Sequence, residues 1–369
     1  MQKVEQYETV IIGGGPAGCA TAILLAKAGS AVTLLEKEPH ETHKICGEFL
    51  SWEAVHYLTR LGLDLKKMGA HEITDMRLIR GGAIIETPLP RSAWSISRRA
   101  LDQALQNKAR AAGANIKYDY HVSSLSRDEK AWSMQTNQNT LKAQTVFMAN
   151  GKHELRGWSR DESGSGLIGF KMHFQLAPAA FDNLKQHVEI ILFKGGYAGL
   201  EPIENDLANL CFLIEKETYI QCGKSWESVL EWLTAQSAPL AGALNKAKPQ
   251  WDRPLAIFDI PYGYVYDGKN APDNLYRLGD QMAVIHSFAG DGMAMALHSG
   301  FAAVSAYISE VGCATYHAQI YKDMHRPVRN AQILSKIVLS PILSRMIFPI
   351  IQTYPALIPR FFHATRLKS

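Results

Sequence analysis

The stretch "YETVIIGGGPAGCATAILLAKAGSAVTLLEKE", residues 7–38, decides the fold of this chain. An apolar run at residues 9–12 leads into a cluster of glycines, and a second apolar run at residues 31–35 ends at Glu36. Between the two runs, small and apolar residues recur at the spacing of one helix face. We therefore predict a strand, a glycine-rich turn, a helix and a second strand, which is the βαβ arrangement of a parallel sheet.

The glycines of this turn, Gly13-x-Gly15-x-x-Gly18, have the spacing of a dinucleotide-binding fingerprint. In that motif the glycines allow a tight turn, a close approach of the backbone to a pyrophosphate, and close packing of the helix on the strand. The helix N-terminus presents free N–H groups to the phosphates, and an acid in the position of Glu36 holds a ribose hydroxyl. A chance match is the alternative, and the correct placement of strand, helix and acid disfavours it. The nucleotide contacts predicted in this stretch are Gly13, Gly15, Pro16, Ala17, Gly18, Glu36 and Lys37.

The composition excludes several classes of protein. With 369 residues, 47% of them hydrophobic and 20% charged, the chain is long enough to bury the core of one large domain or two closely packed ones. A net charge of +4 without a long basic block disfavours nucleic acid as a partner. The five cysteines are scattered without a CxxC pair, so we expect neither a metal site nor disulfides. The first apolar run begins too early to leave room for a secretory leader, which favours a cytoplasmic protein.

A second glycine-rich stretch, "NLYRLGDQMAVIHSFAGDGMAMALHSGFAAVSAYI", occupies residues 274–308. The pattern predicts a short strand, a turn at Gly279-Asp280 and a loop. A long helix of small and apolar residues follows, and it begins at Gly290-x-Gly292. Side chains at such a helix start would obstruct a ligand that approaches the backbone N–H groups. The pattern therefore predicts a second helix N-terminus that is open to a ligand.

These two stretches together resemble the FAD-binding fold of the group A flavin monooxygenases and, more narrowly, the geranylgeranyl-reductase-like and halogenase-like flavoproteins. Two further segments fit the order of motifs in that family: an R-x-x-L-D stretch that starts at Arg98, and a strand-to-loop stretch that contains Asn150 and Gly151. The segment "KICGE", residues 44–48, is similar to one of the reductase-like branch that follows the ribose-binding acid and passes close to the flavin ring.

The resemblance implies an α/β fold with a Rossmann-like FAD-binding domain of the glutathione-reductase type, built in three layers. It also implies an inserted substrate domain with an antiparallel sheet and a helical C-terminal tail. Strand-like segments separated by turn signals in the middle of the chain agree with such a sheet. The expected boundaries are residues 1–75, 95–165 and 275–330 for the FAD-binding domain, 76–94 and 166–274 for the substrate domain, and 331–369 for the tail.

The resemblance also implies which residues contact the cofactor, FAD. Asp280 would bond the ribityl or phosphate part of the flavin, although a turn-capping Asp is the alternative. The helix that starts at Gly292 would direct its N–H groups to the N1/C2 edge of the flavin ring, where negative charge gathers on reduction. Beyond the first stretch, the implied cofactor contacts are Lys44, Cys46, Gly47, Arg98, Asn150, Gly151, Gly279, Asp280, Gly290, Asp291, Gly292 and Met293.

Two residues are candidates for a catalytic role. Cys46 lies in the segment expected beside the flavin, although a free cysteine is more often a small buried hydrophobe. His286 stands where relatives carry a proline, and it would donate a proton or bind substrate. A hydrogen-bonded structural histidine is the more common alternative for such a residue. The sequence leaves both roles open.

The segment "GGYAGLEP", residues 195–202, departs from the relatives. The prenyl-reductase branch carries Trp and Phe where this chain has Gly199 and Glu201, which argues against a pocket for long isoprenoids. The WxWxIP signature of the halogenases is also absent. We therefore expect a monooxygenase that acts on an apolar or aromatic metabolite, free or carrier-bound, with NAD(P)H as a transient electron donor. A flavin-dependent C=C reductase of the geranylgeranyl-reductase type and a non-catalytic FAD-binding protein are the alternatives.

The tail, residues 331–369, is apolar but interrupted by Pro341, Pro349, Pro355 and Pro359. It therefore contains no unbroken span of about 20 apolar residues. We expect short helices that pack on the body of the protein and help to enclose the substrate cavity. Contact with a membrane through an interfacial helix, or with a carrier protein, is the less favoured alternative.

Overall fold

The computed structural model describes residues 5–128, 131–160 and 164–367. These residues form an α/β protein with two mixed β-sheets. The strands, in chain order, are β1 (Glu5–Ile12), β2 (Val32–Leu35), β3 (Phe49–Leu50), β4 (His71–Arg80), β5 (Ala83–Ser95), β6 (Asn115–Lys117), β7 (Val122–Arg127), β8 (Trp132–Thr136), β9 (Thr140–Met148), β10 (Leu167–Gln175), β11 (His187–Phe193), β12 (Gly196–Ile203), β13 (Leu207–Glu215), β14 (Lys248–Pro249), β15 (Leu255–Phe258) and β16 (Leu275–Arg277). The helices are α1 (Pro16–Lys27), α2 (Trp52–Arg60), α3 (Arg98–Ala111), α4 (Pro178–Leu184), α5 (Lys216–Gln221), α6 (Trp226–Gln236), α7 (Ala238–Ala243), α8 (Gly292–Ile308), α9 (Gly312–Leu339), α10 (Pro341–Thr353) and α11 (Leu357–Thr365).

The first sheet has seven strands in the order β6-β2-β1-β9-β8-β7, with β16 also paired to β9. Its centre is parallel, because β1 lies between β2 and β9 and runs parallel to both. Val10 and Ile11 in β1 are fully buried, as expected of a parallel strand that is covered on both faces. The glycine turn that follows β1 therefore emerges at the middle of the edge where the parallel strands end.

The predicted strand, turn, helix and strand at residues 7–38 are confirmed. Helix α1 begins at Pro16 with Gly15 as its N-cap, and β2 ends at Leu35, directly before Glu36. The small residues of α1 let another helix approach closely. At Gly300 of α8, an added Cβ would lie 2.9 Å from the backbone oxygen of α1 that it faces. This tight crossing of α1 and α8 brings the starts of the two helices to the same side of the first sheet.

The second sheet has nine strands in the order β14-β10-β13-β12-β11-β4-β5-β3, with β15 also paired to β10. Its pairs are antiparallel except for β4 with β11, which are parallel. The sheet is therefore mixed, and the expectation of an antiparallel sheet is corrected at this pair. The difference arises because β4 comes from an early part of the chain and joins β11 by a long crossover, which no local turn signal reveals.

Some of the expected domain boundaries lie where the chain passes from one sheet to the other, and others do not. The boundaries before residues 166 and 275 lie next to the starts of β10 and β16, where the chain passes from one sheet to the other. The boundary after residue 75 lies inside β4, which begins at His71, and the boundary before residue 331 lies inside α9. Both elements continue across these positions, although the pairing of β4 with β5 shifts its register between Ile73 and Asp75.

Helices α9, α10 and α11 form the C-terminal part of the chain. The buried stripe of α9 continues in one register from Ile320 through Met324 and Val328 to Ala331, which explains why the helix passes the expected start of the tail. Within the described residues, no single helix has the length and apolar character that a membrane crossing requires. Helices α9 and α10 meet that criterion only as a pair, and they are bent by 99° at their junction.

Candidate active site

The two sheets enclose a cleft of about 550 Å³, a volume in the range of ligand-binding cavities. It is lined by the glycine turn after β1, by the loop at residues 36–48 and by the start of α8. A larger but more open depression of about 890 Å³ lies elsewhere, beside Gln6 and Lys142, and holds none of the predicted site residues. The predicted residues that line the cleft are Gly13, Gly15, Pro16, Ala17, Glu36, Lys37, Lys44, Cys46, Gly47, Arg98, Asn150, Gly151, Gly279, Asp280, Gly290, Gly292 and Met293.

The glycines of the site fall into two groups. Gly13, with φ of +106°, and Gly18 are required by the fold itself, because an added Cβ would lie 2.4 Å and 2.0 Å, respectively, from a backbone carbonyl oxygen. Gly15, Gly47 and Gly292 have no such internal reason. None of these three has a left-handed φ, and an added Cβ would come no closer than 3.5 Å to another residue. The space beside them lies in the cleft, so these glycines leave room for a ligand.

Two helices begin at the cleft without a side-chain cap. At the starts of α1 and α8, no side chain in the described part of the chain accepts a hydrogen bond from the first-turn N–H groups. The neighbouring helices α2 and α3, by contrast, are capped by Ser51 and Ser97. Free N–H groups and the positive end of a helix dipole favour a negatively charged group or a carbonyl oxygen. The cleft therefore offers two positions that suit the phosphates and the electron-rich edge of a flavin nucleotide.

Charged side chains border the glycine turn. Glu36 is buried, and its carboxylate accepts a hydrogen bond of 2.8 Å from the N–H of Gly14. Lys44 lies 3.4 Å from the carboxylate of Asp102, which also holds Arg98 through two contacts of 3.0 Å. These bonds keep an acid at the end of β2 and two cations beside the turn. The arrangement suits a nucleotide whose ribose meets the acid and whose pyrophosphate meets the cations.

The loop after β9 supplies an unpaired polar atom at the cleft. The side-chain nitrogen of Asn150 donates to the carbonyl oxygen of His153 at 2.6 Å, while its buried Oδ1 has no partner among the described residues. Gln281 donates to the carbonyl oxygen of Gly151 at 2.7 Å, which ties this loop to the turn that contains Asp280. A buried oxygen without a donor is costly, so a ligand donor at this position would stabilise the site.

A cluster of buried charges lies beneath the loop at residues 36–48. The carboxylate of Glu48 accepts hydrogen bonds from Lys171 Nζ and from His173 Nε2, the latter at 2.7 Å. It also accepts one of 2.6 Å from the N–H of Arg98. Burial raises the pKa of Glu48, but the charge of Lys171 and the hydrogen bond from His173 outweigh burial, and the pKa falls to about 2. Lys171 also donates to the carbonyl oxygen of Lys44 at 2.9 Å, so the cluster anchors the loop over the cleft.

The register of the second sheet aligns the polar residues of this wall. Lys171 and His173 stand two residues apart on β10, so both point to the same face of the sheet. His173 pairs with Asn209 of β13, which in turn pairs with Glu201 of β12. Asn209 donates to Glu201 Oε1 at 2.7 Å and to the carbonyl oxygen of Cys46 at 3.3 Å. A row of side chains therefore links three strands to the loop that crosses the cleft.

A smaller cavity of about 90 Å³ adjoins the cleft. Cys46 and Gly47 line both spaces, so the cavity opens onto the cleft at this point. The walls of the cavity are mainly apolar and include Met76, Ile190 and Phe362. Apolar walls exclude water, which strengthens any polar interaction made inside. The arrangement provides a large site for a cofactor and, beside it, a small site for a second molecule.

Glu201 is the carboxyl group of the smaller cavity and is 2% exposed. Burial raises the pKa of Glu201 well above its ordinary value, and the hydrogen bond from Asn209 offsets this only in part. The group therefore favours its neutral form. Its Oε1 accepts the hydrogen bond from Asn209, whereas Oε2 has no hydrogen-bond partner in the described part of the chain. A neutral carboxyl group with one free oxygen is suited to hold a polar atom of a ligand or to give it a proton.

Cys46 stands where the cleft and the cavity meet. Its sulfur accepts a hydrogen bond from the N–H of Glu48 at 3.3 Å. All five cysteines lie in the described part of the chain and are free. The thiol is therefore placed to contact molecules in both spaces.

His286 is not among the residues that line either space. It is 3% exposed, and its ring stacks on Tyr262 with the ring centroids 4.4 Å apart. Burial lowers the pKa of His286 to about 3, and neither ring nitrogen has a partner among the described residues. His286 is therefore a neutral ring packed in the wall, and its surroundings resemble the structural alternative that the sequence left open.

Asp291 directs its side chain away from the cleft. Its carboxylate accepts hydrogen bonds from Ser51 Oγ at 2.8 Å, from Arg366 Nη1 at 2.9 Å and from the N–H of Leu367 at 3.1 Å. Arg366 follows α11, so this buried contact ties the start of α8 to the C-terminal end of the chain. Only the backbone of Asp291 remains available to a cofactor. Gly18, another predicted contact, lies under the turn and serves the packing of α1.

One group in the described part of the chain has the donor atoms of a metal site. His43, Glu48 and His173 each offer an atom, and these atoms lie within 4.8 Å of one another. Lys171 donates to the same carboxylate, however, and its ammonium group repels a metal cation. The cluster therefore fits an internal ion pair and not a metal centre.

Comparison with known proteins identifies relatives of the chain. A family model described as FAD binding domain matches residues 6–216. The menaquinone reductase of Mycolicibacterium smegmatis is 24% identical over 318 residues, which cover 79% of this chain and 74% of that protein. The structure of the flavin-dependent brominase Bmp2 aligns with a TM-score of 0.79 at 20% identity, over 98% of this chain and 94% of that one. PqsL, a probable FAD-dependent monooxygenase from Pseudomonas aeruginosa, aligns with a TM-score of 0.74 at 18% identity, over 94% and 100% of the two chains.

Proposed function

Because the chain belongs to the FAD binding domain family, we propose that its cleft holds FAD between the glycine turn and the start of α8. FAD is the cofactor, and the chain is an oxidoreductase of the group that includes flavin-dependent monooxygenases and reductases. When bound, the flavin accepts two electrons from NAD(P)H and passes them to dioxygen or to a substrate.

The residues of the cleft have separate tasks in this proposal. The backbone at Gly15 and the N-terminus of α1 hold the pyrophosphate, Glu36 holds the ribose, and Asp280 holds the ribityl or phosphate part. The N–H groups at Gly292 face the flavin ring, and Gly47 leaves room for it from the opposite loop. The support for this assignment is that Gly15, Gly47 and Gly292 are not required by the packing of the protein itself.

We further infer how the two sheets divide the work. The first sheet with α1, α3 and α8 is the FAD-binding domain, in the three-layer arrangement of the glutathione-reductase type. The second sheet with α4, α5, α6 and α7 is the inserted substrate domain. This division is supported by the position of the glycine turn on the first sheet and of Glu201 on the second.

The reaction we propose is the oxygenation of a small apolar or aromatic metabolite, free or carrier-bound. The observation that carries this proposal is the apolar cavity of about 90 Å³ that opens onto the cleft at Cys46 and Gly47. A cavity of that size excludes a long isoprenoid chain, and its apolar walls keep water away from the reacting group. Oxygenation requires such a dry site, because access of water promotes the loss of activated oxygen as hydrogen peroxide before it reaches the substrate.

Glu201 gives the cavity its selectivity in this proposal. Its neutral carboxyl group donates one hydrogen bond and accepts others, and its Oε2 is free to do so. A substrate with an apolar body and a single hydroxyl, carbonyl or ring nitrogen would place that polar atom at Glu201. A substrate without a polar atom would leave Oε2 of this carboxyl group without a partner, at a cost of about 1–3 kcal/mol.

A C=C reductase is the second candidate, and the same carboxyl group favours it. Saturation of a double bond adds a hydride to one carbon and a proton to the other, so it needs an acid beside the substrate. Glu201 and Cys46 both line the cavity and are placed to give that proton. The acid would then recover its proton from solvent before the next turnover.

Turnover with isotope-labelled dioxygen separates the two candidates. The FAD-loaded protein would be supplied with NADPH and a panel of small aromatic compounds and alkenes, and the products would be measured by mass spectrometry. We expect one labelled oxygen atom in the product and no product under strict anaerobiosis. A product formed anaerobically with two added hydrogens would replace the monooxygenase with the reductase. No product from any compound under either condition would favour a non-catalytic FAD-binding protein.

A variant of Glu201 tests the role of the acid within either reaction. Glu201→Gln keeps the size of the side chain and removes the carboxylic proton. If the reaction is an oxygenation, we expect this variant mainly to raise KM. If the reaction is a reduction, we expect it to lower kcat and to remove the pH dependence of kcat. Glu53→Gln is the matched control, because burial raises the pKa of Glu53 to about 7 while the residue lines neither space. Unchanged KM and kcat in Glu201→Gln would contradict the assignment of this residue.

A further inference from the structure

The outer face of helices α10 and α11 is apolar. Of the large apolar side chains that are exposed in the described part of the chain, half lie on these helices or on the turn between them. Ile342, Met346 and Ile350 are 72%, 64% and 51% exposed, and their four-residue spacing places them in one continuous stripe. The exposed apolar side chains, which we call the tail surface, are Ile342, Leu343, Met346, Ile350, Tyr354 and Phe361.

The tail surface is not the face by which α10 packs on the protein. Ser344, Phe348 and Ile351 are buried and occupy the opposite side of the helix. A surface helix normally shows polar side chains to the solvent, so a helix that is apolar on both sides needs a second apolar environment. An exposed apolar patch of this kind marks a site of interaction.

The charge around the tail surface has one sign. Residues 324–369 contain no Asp or Glu. Among the described residues of this region, the exposed charged side chains are therefore all basic; they are Arg326, Arg329, Lys336, Arg345 and Arg360. Bulky apolar side chains flanked by Lys and Arg are the combination by which an interfacial helix binds anionic lipid, because the apolar stripe enters the acyl boundary while the cations meet the headgroups.

The tail surface also stands next to the smaller cavity. Phe362 of α11 lines that cavity, while its neighbour Phe361 is exposed as part of the tail surface. The contact of Arg366 with Asp291 fixes this end of the chain to the start of α8. Helix α11 therefore lies between the cavity on one side and the tail surface on the other.

We propose that the tail surface docks the protein on the surface of an anionic lipid bilayer, with α10 lying in the plane of the interface. Arg345 and Arg360 meet the lipid headgroups, and Ile342, Met346 and Ile350 enter the acyl boundary. The protein does not need to cross the bilayer for this contact. The inference rests on the tail alone and is independent of the reaction proposed above.

Flotation with lipid vesicles tests this proposal on the full-length, FAD-loaded protein. We expect the protein to float with vesicles of phosphatidylcholine and phosphatidylglycerol, to float weakly with phosphatidylcholine alone, and to be released as salt is raised. Two variants separate the apolar and the electrostatic parts: Ile342→Ser/Met346→Ser/Ile350→Ser and Arg345→Glu/Arg360→Glu. Each should lower partition onto the anionic vesicles by about tenfold or more, because all five side chains are exposed and their loss leaves the fold intact.

The matched control carries the same kinds of change outside the tail. Ile220 and Lys248 are exposed on α5 and β14, so Ile220→Ser/Lys248→Glu should float like the unmodified protein. Failure of the unmodified protein to float with any vesicle would overturn the proposal. Flotation of both tail variants to the same extent as the unmodified protein would also overturn it. A dimer in light scattering that the triple serine variant dissociates, without flotation, would assign the tail surface to a second copy of the chain. Binding of an acidic carrier protein without flotation would assign it to that partner instead.

Discussion

The wall of the cleft that belongs to the first sheet presents backbone, whereas the wall that belongs to the second sheet presents buried charged side chains. On the first wall, Gly15 and the uncapped start of α1 offer N–H groups and open space. On the second wall, Lys171 and His173 both bond to the carboxylate of Glu48, and all three side chains are buried. The first wall is therefore completed by a ligand, whereas the Glu48 cluster of the second wall is complete without one.

This difference separates effects on the cofactor from effects on stability. A substitution at a glycine whose added Cβ meets nothing in the protein reduces the room for a ligand and leaves the free energy of unfolding nearly unchanged. Removal of one member of a buried ion pair leaves an uncompensated charge in the interior. Variants of the first wall should lose FAD before they lose stability, and variants of the second wall should do the reverse.

The largest effect is expected for Glu48→Gln. This change leaves the fully buried ammonium group of Lys171 without its carboxylate, so the free energy of unfolding should fall by roughly 3–5 kcal/mol. Urea unfolding, followed by tryptophan fluorescence on the FAD-free protein, measures the loss.

A double-mutant cycle shows whether the two residues act as a pair. Lys171→Met removes the stranded charge, so Glu48→Gln/Lys171→Met should be clearly more stable than the sum of the single losses predicts. Strict additivity would mean that the two side chains do not depend on each other, and the second wall would then not be the self-contained cluster described here.

A smaller loss is expected for Gly18→Ala, because Gly18 is one of the two glycines of the turn that the fold itself requires. Its added Cβ would lie 2.0 Å from a backbone oxygen, so the helix must shift, at a cost of roughly 1–3 kcal/mol. Gly242→Ala in α7 is the matched control, because no atom lies within 4 Å of its added Cβ. Thermal unfolding of the FAD-free variants should show a lower Tm for Gly18→Ala only, and equal Tm values would contradict this account of the turn.

The first wall could be predicted from the sequence because its residues are neighbours in the chain. The strand, turn and helix at residues 7–38 form one local pattern, and the same holds for the glycine start of α8. The second wall joins Glu48 to Lys171, which are 123 positions apart, through a strand pairing that no local pattern shows. One signal was present: in "GFKMHF", Lys171 and His173 alternate with large apolar residues, which indicates a polar face on a buried strand.

The orientations of the Asp291 and His286 side chains could not be predicted from the sequence, and both for the same reason. Motif position places Asp291 and His286 near the cleft, but the direction of a side chain depends on its distant partners. Asp291 turns to Arg366, which is 75 positions away, and His286 turns to the ring of Tyr262. Glu201 could be noted from the sequence only as a replacement for an aromatic residue, since its burial depends on how β12 pairs with β13.

The pH dependence of stability should differ between the two acids of the second wall. Folding lowers the pKa of Glu48 from 4.5 to about 2, so its contribution is complete above pH 4.5 and is lost as the pH falls toward 2. The pKa of Glu201 is raised, so its contribution is complete below its ordinary value and is lost as the pH rises through the folded value. Each group changes stability by at most about 1.4 kcal/mol per pH unit within its own window.

Unfolding curves over a range of pH check these opposite signs. Glu48→Gln should lose part of the acid dependence, and Glu201→Gln should lose part of the dependence on the alkaline side. An acid dependence in Glu48→Gln equal to that of the unmodified protein would assign the acid sensitivity to other carboxylates, such as Glu5, whose pKa is also lowered by Lys117.

Titration of the FAD-free protein with FAD, compared between the unmodified chain and Gly15→Ala, tests the central claim most directly. The added methyl group at residue 15 meets no atom of the protein closer than 3.5 Å, so the Tm of the FAD-free variant should be unchanged. The same methyl group would occupy space that the pyrophosphate needs, so the Kd for FAD should rise by about tenfold or more. A higher Kd at an unchanged Tm is the result this account predicts. An unchanged Kd, with Gly242→Ala as the control, would contradict the placement of FAD in this cleft.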